Sequence, residues 1–448
     1  MSRRFVSGDR DQVFLLPPDM RDWLPESDLA WTVIDAVAQL DLSEFDSAYR
    51  ADGRSRPAYD PAVMVALLLF AYCDGVRSSR QIERRCERDV AYRVVSRNLR
   101  PDHATIARFR ARHRPALVGV FTQVLRLCAQ AGLLRVGVVA LDGTKMAAPA
   151  SARASRTGAE LDADIAAVAS QVEAMLAQAE QTDAAEDAEH GSDRGDQPPP
   201  GLASRQARLT RLQRAKAELD AHEQAEQARQ DEVRAAWAAE RAAGCRPVGR
   251  PPGTQPPKGQ RSRARVNVTD PDSRPQKNHR GFVQGYNAQA VVGGGQIIVA
   301  ADVQSSPSDS SALHPMLDQA QTQLAAAGVT TPIRGALADS GYGGKDNLSR
   351  PRPITLLVGT SSGRTKTVTT PPRDPHVAAM ARRTTSPAGR RLFRRRAGMV
   401  EPVFGQIKNR LGNNLNHRGL EAAKTEWTLI TTSHNLLKYW RATTPAPA

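Results

Sequence analysis

Three acidic residues have the right settings to do phosphoryl chemistry together. Asp142 ends the short apolar run from Val136 to Leu141 and is followed by Gly-Thr-Lys145. Asp339 ends a second run, from Gly335 to Ala338, and is followed by Ser-Gly-Tyr342. A buried strand delivers a carboxylate in this way, at its end and beside a glycine. An acid in that position also starts surface turns, so neither residue is diagnostic alone. Glu401 lies in Met399-Val-Glu-Pro-Val-Phe-Gly-Gln-Ile-Lys408, which reads as a helix with Val400, Phe404 and Ile407 on one face. Lys408 follows Glu401 by seven residues, two helical turns along the same face. A lone acid among arginines also serves as an ion-pair partner. Hydrolysis or exchange of a phosphodiester needs a hard cation at the scissile phosphate, and about three carboxylates suffice to hold one or two Mg²⁺ ions.

The elements needed to position these residues are legible along the chain. Residues 1–132 read as helical: Trp31, Ile34, Val37 and Ala38 recur at helical spacing, as do Val63, Ala66, Leu67 and Phe70. A polar helix over Ser78–Val90 precedes Pro101-Asp102, where Asp102 is a plausible N-cap for a helix carrying Arg108 and Arg110. Short helices ending in an arginine-rich one are compatible with helix-turn-helix DNA binding, and equally with a plain bundle that has a solvated basic face. Residues 133–156 begin an α/β core that resumes over 266–448. There Gly285–Val292 and Gln296–Val303 read as strands around Gly293-Gly-Gly295, followed by a helix over Ser311–Ala327 and strands at 334–339 and 354–358. Residues 157–265 are an insertion. Residues 157–196 hold eleven acidic residues and one basic. Leu161, Ile165, Val168, Val172 and Met175 form a heptad-like seam, and Leu209, Leu212, Leu219, Val233 and Trp237 continue it. This spacing predicts an antiparallel helical hairpin. The following segment, 246–265, reads as a Pro/Gly/basic linker, in which Gly249-Arg-Pro251 weakly matches a minor-groove hook.

Composition narrows the class. The chain has 448 residues and a formal net charge of +15, which points to a polyanion, nucleic acid first. Residues 364–418 alone hold thirteen Lys and Arg against Asp374 and Glu401. The longest apolar run, Ala62 to Cys73, has 12 residues, too few to span a bilayer, and the N-terminus does not read as a signal peptide. Four cysteines without CxxC spacing make a disulfide framework or zinc site improbable and fit a reducing compartment.

Together these segments resemble the DDE transposases of bacterial insertion sequences, within them the IS1182-type members of the IS5/IS4-like set. The resemblance rests on Leu-Asp-Gly-Thr-Lys at 141–145, Ala-Asp-Ser-Gly-Tyr at 338–342 and Val-Glu-Pro-Val-Phe-Gly-Gln-Ile-Lys at 400–408. Further matches are Tyr-Asp-Pro at 59–61, Pro-Asp-His-Ala-Thr-Ile-Ala-Arg-Phe-Arg at 101–110, Thr-Asp-Pro-Asp-Ser-Arg at 269–274, Gly-Tyr-Asn-Ala-Gln at 285–289 and His-Asn-Leu-Leu-Lys at 434–438. It covers most of the chain except the insertion and linker. The spacing departs from related families at one point: Phe393 stands where they often have Tyr, and Arg396 precedes Glu401 by one residue more than expected.

The resemblance implies a mixed α/β fold with an RNase H-like catalytic core, an N-terminal all-α DNA-binding domain and a helical hairpin insertion. It implies that Asp142, Asp339 and Glu401 are the catalytic, metal-holding triad, for Mg²⁺ or substituting Mn²⁺, with two ions expected. Lys408, Arg396, Arg108 and Arg110 are the expected DNA contacts. The implied partners are the element's terminal inverted repeats and target DNA, with a homodimer in a synaptic complex, no membrane, and a cytoplasmic, nucleoid-associated location. The implied reaction is cleavage at the element's ends and joining of the 3′-OH to target DNA. A metal-dependent nuclease that cuts without joining, or a non-catalytic repressor derived from a transposase, are the alternatives.

Overall fold

The computed structural model describes residues 19–49, 58–190, 201–243, 264–278, 281–359 and 374–444. All but the last two residues of the expected linker at 246–265, with its Gly249-Arg-Pro251, and the Pro-rich break at 198–200 lie outside the described residues.

Among the described residues seven α-helices come first: α1 (Leu29–Ala38), α2 (Ser43–Asp46), α3 (Pro61–Cys73), α4 (Ser79–Arg88), α5 (Val90–Val95), α6 (His103–Arg112) and α7 (Arg114–Gln130). Asp60 caps α3 through the Ala62 N–H at 2.8 Å and Pro61 opens its first turn, where a missing N–H costs nothing. Four residues of α3 were expected to form one apolar face. Instead every side chain from Val63 to Cys73 is buried, because α1, α5 and a C-terminal helix enclose α3 from several sides. Asp102 caps α6 through Thr105 N at 2.9 Å, as its position suggested.

The core follows: β1 (Arg135–Ala147), β2 (Ser155–Arg156), α8 (Gly158–His190), α9 (Leu202–Ala242), β3 (Val266–Asn267), β4 (Arg274–Asn278), β5 (Gly281–Gly294), β6 (Ile298–Gln304), α10 (Leu313–Ala326), β7 (Gly335–Ala338), α11 (Lys345–Ser349), β8 (Thr355–Val358), α12 (Pro375–Thr385), α13 (Pro387–Phe393), α14 (Arg395–Leu411) and α15 (Leu420–Thr443). The main sheet has the order β4-β5-β1-β7-β8, with β6 also paired to β5. Strands β1, β7 and β8 run parallel, and β5 is antiparallel to β1, β4 and β6. The hairpin between β5 and β6 closes at Gly295-Gln296, both at positive φ, the backbone that a tight two-residue turn requires.

Helix α15 packs across α7, α3 and β6. Asn435 bonds both the N–H and the carbonyl of Ile298, and Trp427 donates its indole N–H to Gln289 O at 2.9 Å. These contacts merge the N-terminal helices and the sheet into one hydrophobic core.

The insertion is two long helices, α8 and α9, packed against each other. Leu161, Val168, Leu212, Ala215, Leu219 and Val266 form a small separate core at their base. The seam fades beyond Leu219: Val233 is 49% exposed. No described helix is long and apolar enough to cross a membrane.

Candidate active site

The site lies where β1 and β7 run side by side. Leu141 pairs with Ala338 in parallel register, so the next residues, Asp142 and Asp339, emerge together from the centre of the sheet. Each carboxylate is fixed by a nearby amide. Asp142 Oδ1 accepts from Gly143 N at 2.9 Å, and Asp339 Oδ1 accepts from Gly341 N at 2.8 Å. The other oxygens converge on one nitrogen: Arg396 Nη2 lies 2.7 Å from Asp142 Oδ2 and 3.8 Å from Asp339 Oδ2.

This cluster is electrostatically incomplete. Burial pushes the Asp142 carboxyl up to about 6; Arg396 and the Gly143 N–H pull it down, while Asp339 and Asp309 push it further up. Arg396 Nε is buried without a hydrogen-bond partner. Two carboxylate oxygens sharing one positive nitrogen are the hard donor set that suits Mg²⁺ or Mn²⁺. Arg396 provides positive charge where such an ion would sit. Among the described residues no three acidic, His or Cys side chains are grouped closely enough to hold a metal ion.

Glu401 and Lys408 are both on α14, whose Val400, Val403, Phe404 and Ile407 are buried beside β1 and β5. Glu401 is exposed and has no ion pair or hydrogen bond with a described residue. Lys408 is partly buried. Burial lowers its pKa and the negative charge of Asp142 partly restores it, which puts Lys408 within electrostatic reach of the site. Two turns of helix put Glu401 on that same side of α14. The structure thus brings Asp142, Asp339 and Arg396 together, sets Lys408 within the field of Asp142, and leaves Glu401 unpaired on the helix that carries Arg396 and Lys408. Phe393 lies at the back of the site, its ring 3.5 Å from where a Cβ on Gly359 would stand.

The N-terminal arginines part company. Arg108 is exposed on α6. Arg110, expected at a DNA surface, is 7% exposed. Its guanidinium donates to Tyr72 Oη and Arg77 O, each at 3.3 Å, and to Ser79 Oγ at 3.0 Å. It lies on the same helical face as Ile106 and Phe109, both buried, so Arg110 is an interior cross-link and not a free contact. Tyr342 and Tyr286 are core residues: Tyr342 donates to Gln289 Oε1, and Tyr286 to Asp270 Oδ1 at 2.7 Å.

Sequence reasoning missed Asp309, Asn287 and Gln289, which form a polar patch beside Asp142. Asn287 and Gln289 did carry a signal, since they are amides at alternate positions of an otherwise apolar central strand. Asp309 carried none, lying in the serine-rich loop Ser305–Ser311.

Two family models match the chain. One described as Transposase domain (DUF772) covers residues 18–112, and one described as Transposase DDE domain covers residues 254–436. Asp339 and Glu401 fall within the second, and Asp142 lies between the two. No curated relative and no solved structure matches the chain. An antiparallel β6-β5-β1 half joined to a parallel β1-β7-β8 half, with one acid after β1's apolar run and another after β7, is the RNase H-like arrangement that the second domain implies. On these matches and this architecture, the chain belongs to the DDE transposases.

Proposed function

We propose that this transposase cuts DNA at the ends of its element and joins the freed 3′-OH to target DNA, with Asp142, Asp339 and Glu401 as the catalytic acids. The observation that carries this reading is the pair of carboxylates sharing Arg396 Nη2, Asp142 inside β1 and Asp339 just past the end of the parallel β7. Asp142 and Asp339 are the residues that would hold a divalent cation, with Glu401 added from α14. When bound, such an ion supplies the positive charge that makes an oxygen nucleophilic and stabilises the leaving oxygen.

The chain's own groups account for the rest. The Gly143 and Gly341 amides orient the two aspartates before substrate arrives. Lys408, placed near Asp142, holds a DNA phosphate against the site. Arg396 would be free to bind an adjacent phosphate if a divalent cation were held by the carboxylates it now bridges. Such contacts give affinity and position without reading sequence. Hydrolysis at the end and attack by the 3′-OH use one geometry, because each replaces one P–O bond in line, with the nucleophile losing a proton and the leaving 3′-oxygen gaining one. Residues 1–132 are the proposed end-binding region, with exposed Arg108 on its surface, and two copies bring two ends together.

The test is a labelled duplex carrying the element's own ends, incubated with Mg²⁺ or Mn²⁺ and either wild type or Glu401→Gln. Metal-dependent cutting and joined product, both lost in a variant that still binds DNA, are expected. Cutting without joining makes the protein a nuclease, and binding without either reaction makes it a non-catalytic DNA-binding protein.

A further inference from the structure

We propose that the cavity between the C-terminal halves of α14 and α15 is a seat for a DNA backbone phosphate, separate from the catalytic acids and held by Arg410, Lys438 and Arg441. This rests on the reading that the chain acts on DNA, and not on its metal chemistry. On α14, Lys408 sits in the field of Asp142, whereas Arg410 is two residues further on and so about 200° round the helix. A cavity of about 300 Å³ opens there, lined by Gln406, Asn409 and Arg410 from α14 and by His434, Lys438 and Arg441 from α15. His434 and Lys438 are the two ends of the His-Asn-Leu-Leu-Lys segment, whose Asn435 is committed to the backbone of Ile298.

The cavity gathers positive charge without its counterpart. Arg410, Lys438 and Arg441 line it, and no acid does. None of the three forms an ion pair with a described residue. Arg410 is partly buried, and its Nε and Nη2 are buried without a hydrogen-bond partner among the described residues. A guanidinium that serves only the fold is paired, as Arg77 is, with Glu426 Oε1 at 2.9 Å and the carbonyls of Leu411 and Asn414 at 2.6 Å. A buried charge left unpaired is costly, and an anion in the cavity removes that cost. Cations in the last turn of a helix also offset its dipole, and Arg410 and Arg441 are so placed. That accounts for a cation on each helix, but not for three meeting at one cavity. The frame around them is fixed. Gln296, in the β5–β6 turn, accepts through Oε1 from Lys438 Nζ at 2.7 Å and Gln406 Nε2 at 3.1 Å, and its carbonyl bonds His434 Nε2 at 2.9 Å. Lys438 keeps two further N–H donors. Burial, with the charges of Lys438, Arg410 and Arg441, holds the His434 imidazole down to about 4, so it stays neutral there. Asn409 and Arg441 are exposed, so the seat is open to solvent. Charged donors beside neutral amides are what a phosphodiester takes from a protein that holds DNA by its backbone.

The test is binding of a labelled duplex of unrelated sequence to the full-length chain at several salt concentrations. Asn409→Asp puts a carboxylate in the seat, and Arg441→Ala removes one of its cations. Both positions are exposed, so the fold should stand. Each variant should weaken binding about fivefold near physiological salt and lower the salt slope by roughly one phosphate contact. Gln178→Glu, the same change of charge at an exposed position on α8, should do neither. The inference is overturned if Asn409→Asp and Arg441→Ala keep the wild-type affinity and slope. It is also overturned if Gln178→Glu has as large an effect, since net charge alone is then responsible. Calorimetry with inorganic phosphate adds a third outcome: phosphate binding that Asn409→Asp abolishes, with duplex binding unchanged, makes the cavity a free-anion site and overturns the DNA contact. If wild type does not bind the duplex at all, the DNA reading fails and the seat with it. If wild type binds with the expected variant effects but neither cuts nor joins, the proposed chemistry fails and the seat stands.

Discussion

Among the described residues, the buried Arg77–Glu426 pair and the half-buried Arg396–Asp142 pair are built on opposite plans. Arg77, in the turn before α4, meets Glu426 of α15 at 2.9 Å, with the two side chains 8% and 0% exposed. Arg77 also donates to the carbonyls of Asn414 and Leu411, each at 2.6 Å. The second oxygen of Glu426 accepts from Asn416 N, His417 N and His417 Nδ1. Burial pushes the Glu426 carboxyl up, but the bond and charge of His417 and the charge of Arg77 more than reverse it, leaving it below the ordinary range. The Arg396–Asp142 pair has an unpartnered Nε, a second carboxylate at 3.8 Å and an acid whose pKa is raised. A closed network holds parts of the fold together. An open one, short of positive charge, is what a cation-dependent site needs before its substrate arrives.

The largest expected effect comes from breaking the closed pair. Arg77→Met or Glu426→Gln leaves a buried partner uncompensated, which costs about 3–5 kcal/mol. It also unties the N-terminal helices from the segment linking α14 to α15. Thermal melting should show a midpoint lower by roughly 3–5 °C. A wild-type melting curve for Glu426→Gln would mean that the network is not structural.

Opening the second pair should act in the other direction. Asp142 is raised to about 6, so its contribution to stability is present below the ordinary carboxylate range and lost as pH rises through 6. At pH 7.5 its buried charge opposes folding by about 3 kcal/mol. Asp142→Asn should therefore raise the melting midpoint at pH 7.5, and the gain should shrink as pH falls towards 4. Glu426 has the opposite sign: its stabilisation is present above the ordinary carboxylate range and is lost as pH falls through its lowered value. Melting curves of both variants at pH 4.5 and 7.5 sharpen the comparison. If Asp142→Asn is no more stable at the higher pH, the site is not the strained one described.

These two pairs also mark what could be read from the residues alone. Asp142 and Asp339 were legible because an apolar run, an acid and a glycine are contiguous in sequence; Asp339 does follow the end of β7, whereas Asp142, expected at a strand end, lies inside β1, which runs on to Ala147 because β5 continues to pair with it. The strands and long helices around them were legible for the same reason. Arg77 and Glu426 are 349 positions apart, and nothing local tells that they meet. The fading of the hairpin seam was equally hidden, since Val233 has the same spacing as Leu219 but nothing packed over it. Arg396 was read as a phosphate contact because a helix rich in arginine does not say which one turns inward.

Arg108 and Arg110 carry the smallest effects and extend the comparison to the DNA surface. Both stand on α6, two residues apart, and chemistry alone does not separate them. Arg110 donates to Arg77 O and so belongs to the closed network, while Arg108, exposed, donates among the described residues only to Thr105 Oγ1 at 3.2 Å. Arg108→Ala should leave stability within about 0.5 kcal/mol of wild type. It should weaken binding to the element's ends by about 1 kcal/mol and lower the salt dependence of binding by roughly one phosphate contact. Arg110→Ala should lose about 1–3 kcal/mol of stability, because the buried Tyr72 and Ser79 hydroxyls and the Arg77 carbonyl lose a charged donor. Its salt slope should not change. Binding titrations at several salt concentrations, paired with melting curves, separate the two. If Arg110→Ala flattens the slope and Arg108→Ala does not, then α6 must turn its other face to DNA, and the boundary drawn here between closed network and working surface is misplaced.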